Sequence, residues 1–229
     1  MSQTTTTVDY AFRLGDRLRK RRRAAIENLI DDAYRRRGSV RILDLGGRKR
    51  YWSIFEDGYL ASRKTTITLL NPELPNSNTE ESEGFVELAG DACNIPAFGN
   101  YTFDIVHSNS TIEHVGDWDR VEAFAKEARR LAPSYYIQTP YYWFPVEPHV
   151  LLPVFHWLPE GVRAKIFLHT RLAAYGSSVD MGAAMRRVQA SRLLDRAQMA
   201  YLFPDAQIRF EWFGPVPKSL IAIREQDGA

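Results

Sequence analysis

The spacing of apolar and polar positions divides the chain into two kinds of element. From Asp9 to Arg37, Ile26, Leu29, Ile30, Ala33 and Tyr34 recur at helical intervals, so a long helix is expected there, stopped by Gly38. Short apolar or β-branched runs follow at 41–45, "TTITLL" (65–70), "FVELAGDA" (85–92), "FDIVHSNS" (103–110) and "SYYIQTP" (134–140), and predict five strands. Helical patterns separate several of them. The clearest covers 119–132, with Val121, Phe124, Ala125, Ala128 and Leu131 on one side. Strands that alternate with helices need crossover connections, and so a mostly parallel sheet covered on both faces. A further helix is expected at 191–203. The runs at 206–214 and 218–225, joined only by "GPVP", predict an antiparallel hairpin. The sum is one doubly wound α/β domain over residues 9–229, with a seven-stranded sheet. Residues 1–8, polar and rich in threonine, are expected to be a disordered tail.

Composition narrows the class. With 229 residues, 45% of them hydrophobic, the chain can bury one sizeable core. A single cysteine, Cys93, excludes an internal disulfide. The first residues lack the apolar core of a signal peptide and no run approaches a membrane span, which points to a cytoplasmic protein. A net charge of +2 does not describe a general polyanion binder. Locally, "RLRKRRR" (17–23) has two readings: the solvated face of a helix, or a contact for an anionic membrane, nucleic acid or acidic substrate.

Candidate chemistry starts at "ILDLGG", where a buried strand ends in an acid and two glycines. In doubly wound sheets, ligands lie in the crevice beyond the carboxyl ends of the strands. A dinucleotide would need GxGxxG, but counting from Gly46 the other two positions hold Arg48 and Tyr51. A ligand without phosphates needs only close backbone approach, which Gly46 and Gly47 can supply.

From about Arg41 to Arg224 the sequence resembles the class I S-adenosylmethionine-dependent methyltransferases. "ILDLGG" stands for their first motif, "ITLLN" for the second strand, "GDACNIP" for the adenine loop and "FDIVHSNSTIEHV" for the fourth-strand motif. "LLDRAQMAYLFPDAQIRFEWFGPVPKSLIAI" fits their antiparallel sixth and seventh strands. The resemblance implies S-adenosylmethionine as cofactor. It also implies roles around it: Asp44 near the methionine amino group, Gly46 and Gly47 at the first turn, and Asn71 on the ribose hydroxyls. Asp91 and Ala92 would then lie at the adenine, with Ser108 and Asn109 beside the sulfonium; an Asx turn at Asp91, and simple turn chemistry at Ser108 and Asn109 after the fourth strand, are the alternatives. Two departures stand out. Arg48 and Arg50 replace later glycines of the first motif. Asn71 replaces the usual carboxylate, with Glu73 as a nearby substitute.

The acceptor side is expected in an insertion at about 141–190, after the fifth strand. Tyr141, Tyr142 and Glu147 are its candidate substrate contacts, set in a stretch rich in aromatics and proline. His149 there, or His114 after the fourth strand, is the candidate base, with a structural histidine as the alternative for each. No metal is expected, because the histidines do not fall at i, i+4 spacing with an acid. The expected partner is a small-molecule or sugar- or lipid-linked acceptor. A binding protein of the same fold without turnover, and a nucleic-acid methyltransferase, remain the alternatives; the oligomeric state is open.

Overall fold

A computed structural model describes residues 22–73, 83–170 and 178–226. Helix α1 covers 22–37 of these, and Gly38, at φ 71°, ends it by donating to Tyr34 O. The expected start of that helix, the tail and residues 17–21 lie outside the described residues. Seven strands follow: β1 (Val40–Leu45), β2 (Thr65–Asn71), β3 (Phe85–Ala89), β4 (Ile105–Asn109), β5 (Ser134–Pro140), β6 (Gln207–Phe213) and β7 (Val216–Arg224). Their order in the sheet is β3-β2-β1-β4-β5-β7-β6; the first five run parallel, and β7 pairs antiparallel with both β5 and β6. This is the architecture that the pattern implied, with Gly214 at φ 58° turning the closing hairpin.

Alternate strand residues explain how both faces are filled. Val40 and Ile42 of β1 pack with Ile26, Leu29 and Ile30 of α1, Trp52 and Phe55. Leu43 and Leu45 instead join Val121, Phe124, Ala125 and Ala128 of α3 (Trp118–Leu131) and Met199 and Leu202 of α6 (Arg196–Leu202). Burial on both sides is why the central strands read as nearly unbroken apolar runs.

The insertion has structure of its own. A 3-10 turn at Phe155–Trp157 leads into α4 (Glu160–His169), and α5 (Met181–Gln189) packs against α4. Val150, Phe155, Ala164, Phe167, Ala184 and Val188 form a small separate apolar cluster. The short elements Lys49–Ile54 (3-10) and α2 (Tyr59–Ser62) were not marked by any pattern in the sequence. No described helix is long and apolar enough to cross a membrane.

Candidate active site

The turn after β1 is held from below. Asp44, fully buried, receives the Trp52 indole N–H on Oδ2 at 2.8 Å and meets His107 Nδ1 with Oδ1 at 2.7 Å. Gly47 crosses directly over this carboxylate, where any Cβ would overlap Asp44 Oδ2. Gly46 sits at φ 72° against Thr111, whose hydroxyl donates to Leu45 O at 3.0 Å. The two glycines are therefore demanded by Asp44 and Thr111 before any ligand is considered. Asp44 itself is committed to Trp52 and His107, and through them it orients the turn.

Asn71, at the end of β2, donates from Nδ2 to Gly47 O at 2.9 Å. A carboxylate could not make this bond, which gives a physical reason for the amide. Its Oδ1 remains as an acceptor for a ligand hydroxyl. Glu73 is exposed just beyond. Asp91 forms an Asx turn with Cys93 N at 3.0 Å and an exposed pair with Arg120 at 2.8 Å, and that guanidinium lowers its pKa. Ala92 packs partly on the core.

Ser108 has its hydroxyl committed within the sheet. It is fully buried in β4 and donates to Leu45 O at 3.1 Å, tying the ends of β1 and β4 together. Asn109 accepts from Arg22, which also bonds Gln138 at 3.2 Å and makes a two-pronged pair with Glu211 at 2.6 Å. Arg22 is buried, so this member of the basic run is not on a solvated face. Its neighbour Arg23 pairs with Glu27 and Glu56. Gln138 and Glu211 escaped the sequence reading, and Arg22 was marked only as part of the basic run; a glutamine inside the apolar β5 run was the available signal.

The two candidate bases, 35 positions apart, meet. His114 Nε2 and His149 Nε2 lie 3.2 Å from each other. His114 Nδ1 donates to Ala190 O at 2.9 Å, and His149 Nδ1 to Glu147 Oε1 at 2.7 Å. Both Nδ1 atoms thus carry a proton, and the two Nε2 atoms face each other at hydrogen-bonding distance. Burial alone would lower the His149 pKa, but the Glu147 carboxylate outweighs it and the pKa is raised. Glu147 is buried and accepts three hydrogen bonds within its own loop, from His149 Nδ1, His149 N at 2.8 Å and Val150 N at 2.6 Å. Beside the pair, Glu113 is buried on the 3-10 turn Ile112–His114; Oε2 accepts from Thr139 at 3.0 Å and Oε1 has no partner. Burial raises its pKa. One ligand atom from each of Glu113, His114 and His149 falls within 4.8 Å of the others. The spacing argument against a metal looked along each run separately, whereas the fold joins two runs.

Tyr142 and Glu147 line a cavity of about 820 Å³ with His156, Arg163, Arg192 and Asp195. Tyr142 O accepts from His156 Nε2 at 2.7 Å and Trp157 Nε1 at 3.0 Å. Tyr141 instead packs its ring on Phe210, at 5.2 Å between centroids, and is a support of the sheet edge.

Residues 50–134 match the family model described as "Methyltransferase domain". No curated protein matches the chain significantly. Among solved structures, the N-terminal domain of EvdMO1, crystallised with SAH and D-fucose, superposes with a TM-score of 0.53 at 17% identity, over 91% of this chain and 82% of that one. A Burkholderia thailandensis 1,6-didemethyltoxoflavin-N1-methyltransferase, with its substrate and S-adenosylhomocysteine bound, gives 0.49 at 14% identity, over 89% of this chain and 79% of that one. A methyltransferase-domain match over residues 50–134 thus coincides with the sheet order of the class I S-adenosylmethionine-dependent methyltransferase fold.

Proposed function

We propose that the protein moves the methyl group of S-adenosylmethionine to a small polar acceptor bound on the insertion side of the sheet. The facing Nε2 atoms of His114 and His149 carry this reading, because they offer a proton-accepting site and the His149 partner, Glu147, lines a cavity. About 820 Å³ lies within the range of small-molecule sites, roughly 300–1,000 Å³. Its lining mixes Arg163, Arg192, Glu147 and Asp195 with Tyr142, which suits an acceptor with several hydrogen-bonding groups.

The reaction is a displacement at the methyl carbon. An acceptor lone pair forms the new bond as the carbon–sulfur bond breaks, leaving neutral S-adenosylhomocysteine. Alignment supplies much of the rate. Where the acceptor carries an O–H or N–H, its proton passes to an Nε2 of the pair, and Glu147 stabilises the resulting charge through His149 Nδ1. Gly46, Gly47 and Asn71 are the donor-side contacts in this reading, with Asp91 and Ala92 at the adenine.

Calorimetry with S-adenosylhomocysteine and with NAD tests the donor side: binding of the first and none of the second is expected. Transfer of labelled methyl from S-adenosylmethionine to a panel of hydroxylated small molecules tests the acceptor side. Saturable donor binding with no transfer to any class, under conditions where His149→Ala also changes nothing, would favour a binding protein without turnover.

A further inference from the structure

We propose that Glu113, His114 and His149 form a binding site for one divalent transition-metal ion of the zinc type. The inference deepens the methyl-transfer reading only in where the ion would act; ion binding itself is argued from the side chains alone.

Three observations meet at one point. First, both imidazoles are fixed so that Nε2 turns to the same point. Each gives its Nδ1–H away, His114 to Ala190 O at 2.9 Å and His149 to Glu147 Oε1 at 2.7 Å. With both rings neutral, the two lone pairs facing across 3.2 Å repel unless a proton or a metal ion lies between them. Second, that separation fits two ligands of one ion: nitrogens at about 2.0–2.1 Å from a tetrahedral zinc stand about 3.3 Å apart. Third, Glu113 Oε1 is buried without a hydrogen-bond partner, while Thr139 holds Oε2 at 3.0 Å. An unpartnered buried carboxylate oxygen is costly and needs an occupant. The three ligand atoms lie within 4.8 Å of one another.

The outer contacts have the pattern expected around a metal. Histidine ligands give their other N–H to a carboxylate or backbone carbonyl, which sets tautomer and ring angle. Here one histidine uses each kind of partner. Glu147 is the positioning residue, itself anchored by the backbone N–H groups of His149 and Val150. Two histidines and one carboxylate leave a fourth position open in a tetrahedral site. His114 is exposed, so that position can be reached from outside. With an ion held there neither Nε2 is free to take a proton; an acceptor oxygen at the fourth position would instead lose its proton to solvent more readily, so the ion would replace the base on the acceptor side of the reaction.

The full chain, stripped with chelator and desalted, should bind one Zn²⁺ per molecule in calorimetry and give the absorption of a low-symmetry site with Co²⁺. Mg²⁺, which prefers oxygen ligands, should not compete. His114→Ala changes an exposed side chain and should weaken Zn²⁺ binding by about 100-fold or more while thermal unfolding of the metal-free protein stays put. Glu147→Gln should weaken it by about 10- to 100-fold. Zn²⁺ binding that is absent, or equal in wild type and both variants, overturns the site and leaves a proton shared between the imidazoles. Calorimetry with S-adenosylhomocysteine on the same samples separates the two readings. Donor binding without zinc binding overturns the ion alone, and zinc binding without donor binding overturns methyl transfer alone.

Discussion

Asp44 with His107 and Glu147 with His149 make the same contact, a carboxylate oxygen at 2.7 Å from Nδ1, in opposite surroundings. Asp44 and His107 are sealed within the sheet, with Trp52, Tyr51 and Tyr136 around the imidazole at ring distances of 5.0, 4.7 and 5.7 Å. His107 Nε2 is buried and has no hydrogen-bond partner among the described residues. His149 keeps about a quarter of its side chain exposed (26%), and its Nε2 meets a second imidazole beside a cavity. An identical pair is thus scaffolding in one place and candidate chemistry in the other. Access decides the role: a lone pair does chemistry only where a ligand can reach it.

The sharpest way to break this contrast is Asp44→Ala. It leaves the Trp52 and His107 N–H groups buried without their acceptor, and should cost about 3–5 kcal/mol of unfolding free energy in urea. A loss below about 1 kcal/mol would put the two pairs on the same footing. His149→Ala should behave in the opposite way. Turnover should fall by about 100- to 10,000-fold with S-adenosylhomocysteine affinity unchanged, while stability falls by only about 1 kcal/mol. A variant that loses stability but keeps its rate would make His149 scaffolding too.

Asn71→Asp tests the first turn from the ligand side. The carboxylate loses the bond to Gly47 O and brings an anionic oxygen against it, so donor affinity should weaken by roughly 10-fold in calorimetry, about 1–2 kcal/mol. Tighter binding would mean that the ribose hydroxyls outweigh the turn. Gly46→Val is a poorer probe, because Thr111 and the positive φ would damage the turn even without ligand.

The smallest expected effect is a pH dependence in chelator-treated protein. Burial pushes the Glu147 carboxyl up, but His149 and two backbone N–H groups prevail and hold it below its ordinary 4.5. The His149 pKa lies above its ordinary 6.5 for the reason given above. Glu147 therefore adds stability above pH 4.5 that is lost as pH falls through its lowered value. His149 adds stability below pH 6.5 that is lost as pH rises through its raised value. The stability difference between wild type and His149→Ala, with Glu113 and His114 in place, should peak between pH 4.5 and 6.5 at about 1 kcal/mol. A flat difference across pH 4–8, measured by urea unfolding, would remove the charged pair.

Much of the architecture was legible along the chain. Period-2 and period-3.6 spacing is local, and burial on both faces turns a parallel strand into an apolar run that can be read directly, as at Val40–Leu45. The tight "GPVP" link fixed the closing hairpin for the same local reason. Side-chain partnerships are not local. Arg22 sits in a basic run that reads as solvated, yet its acceptor, Glu211, comes from β6, 189 positions away. Ser108 follows a strand as a turn residue would, and only the register of β4 against β1 shows that its hydroxyl is spent on Leu45 O.

The sequence by itself determined the order of elements, the sheet class and the absence of a dinucleotide loop, because these depend on neighbouring residues and their periodicity. The tertiary structure decided which of two chemically equal histidine–carboxylate pairs is sealed, and that His114 and His149 share one point with Glu113. Those facts depend on separate segments reaching the same few ångströms, a distance that no spacing along the chain encodes.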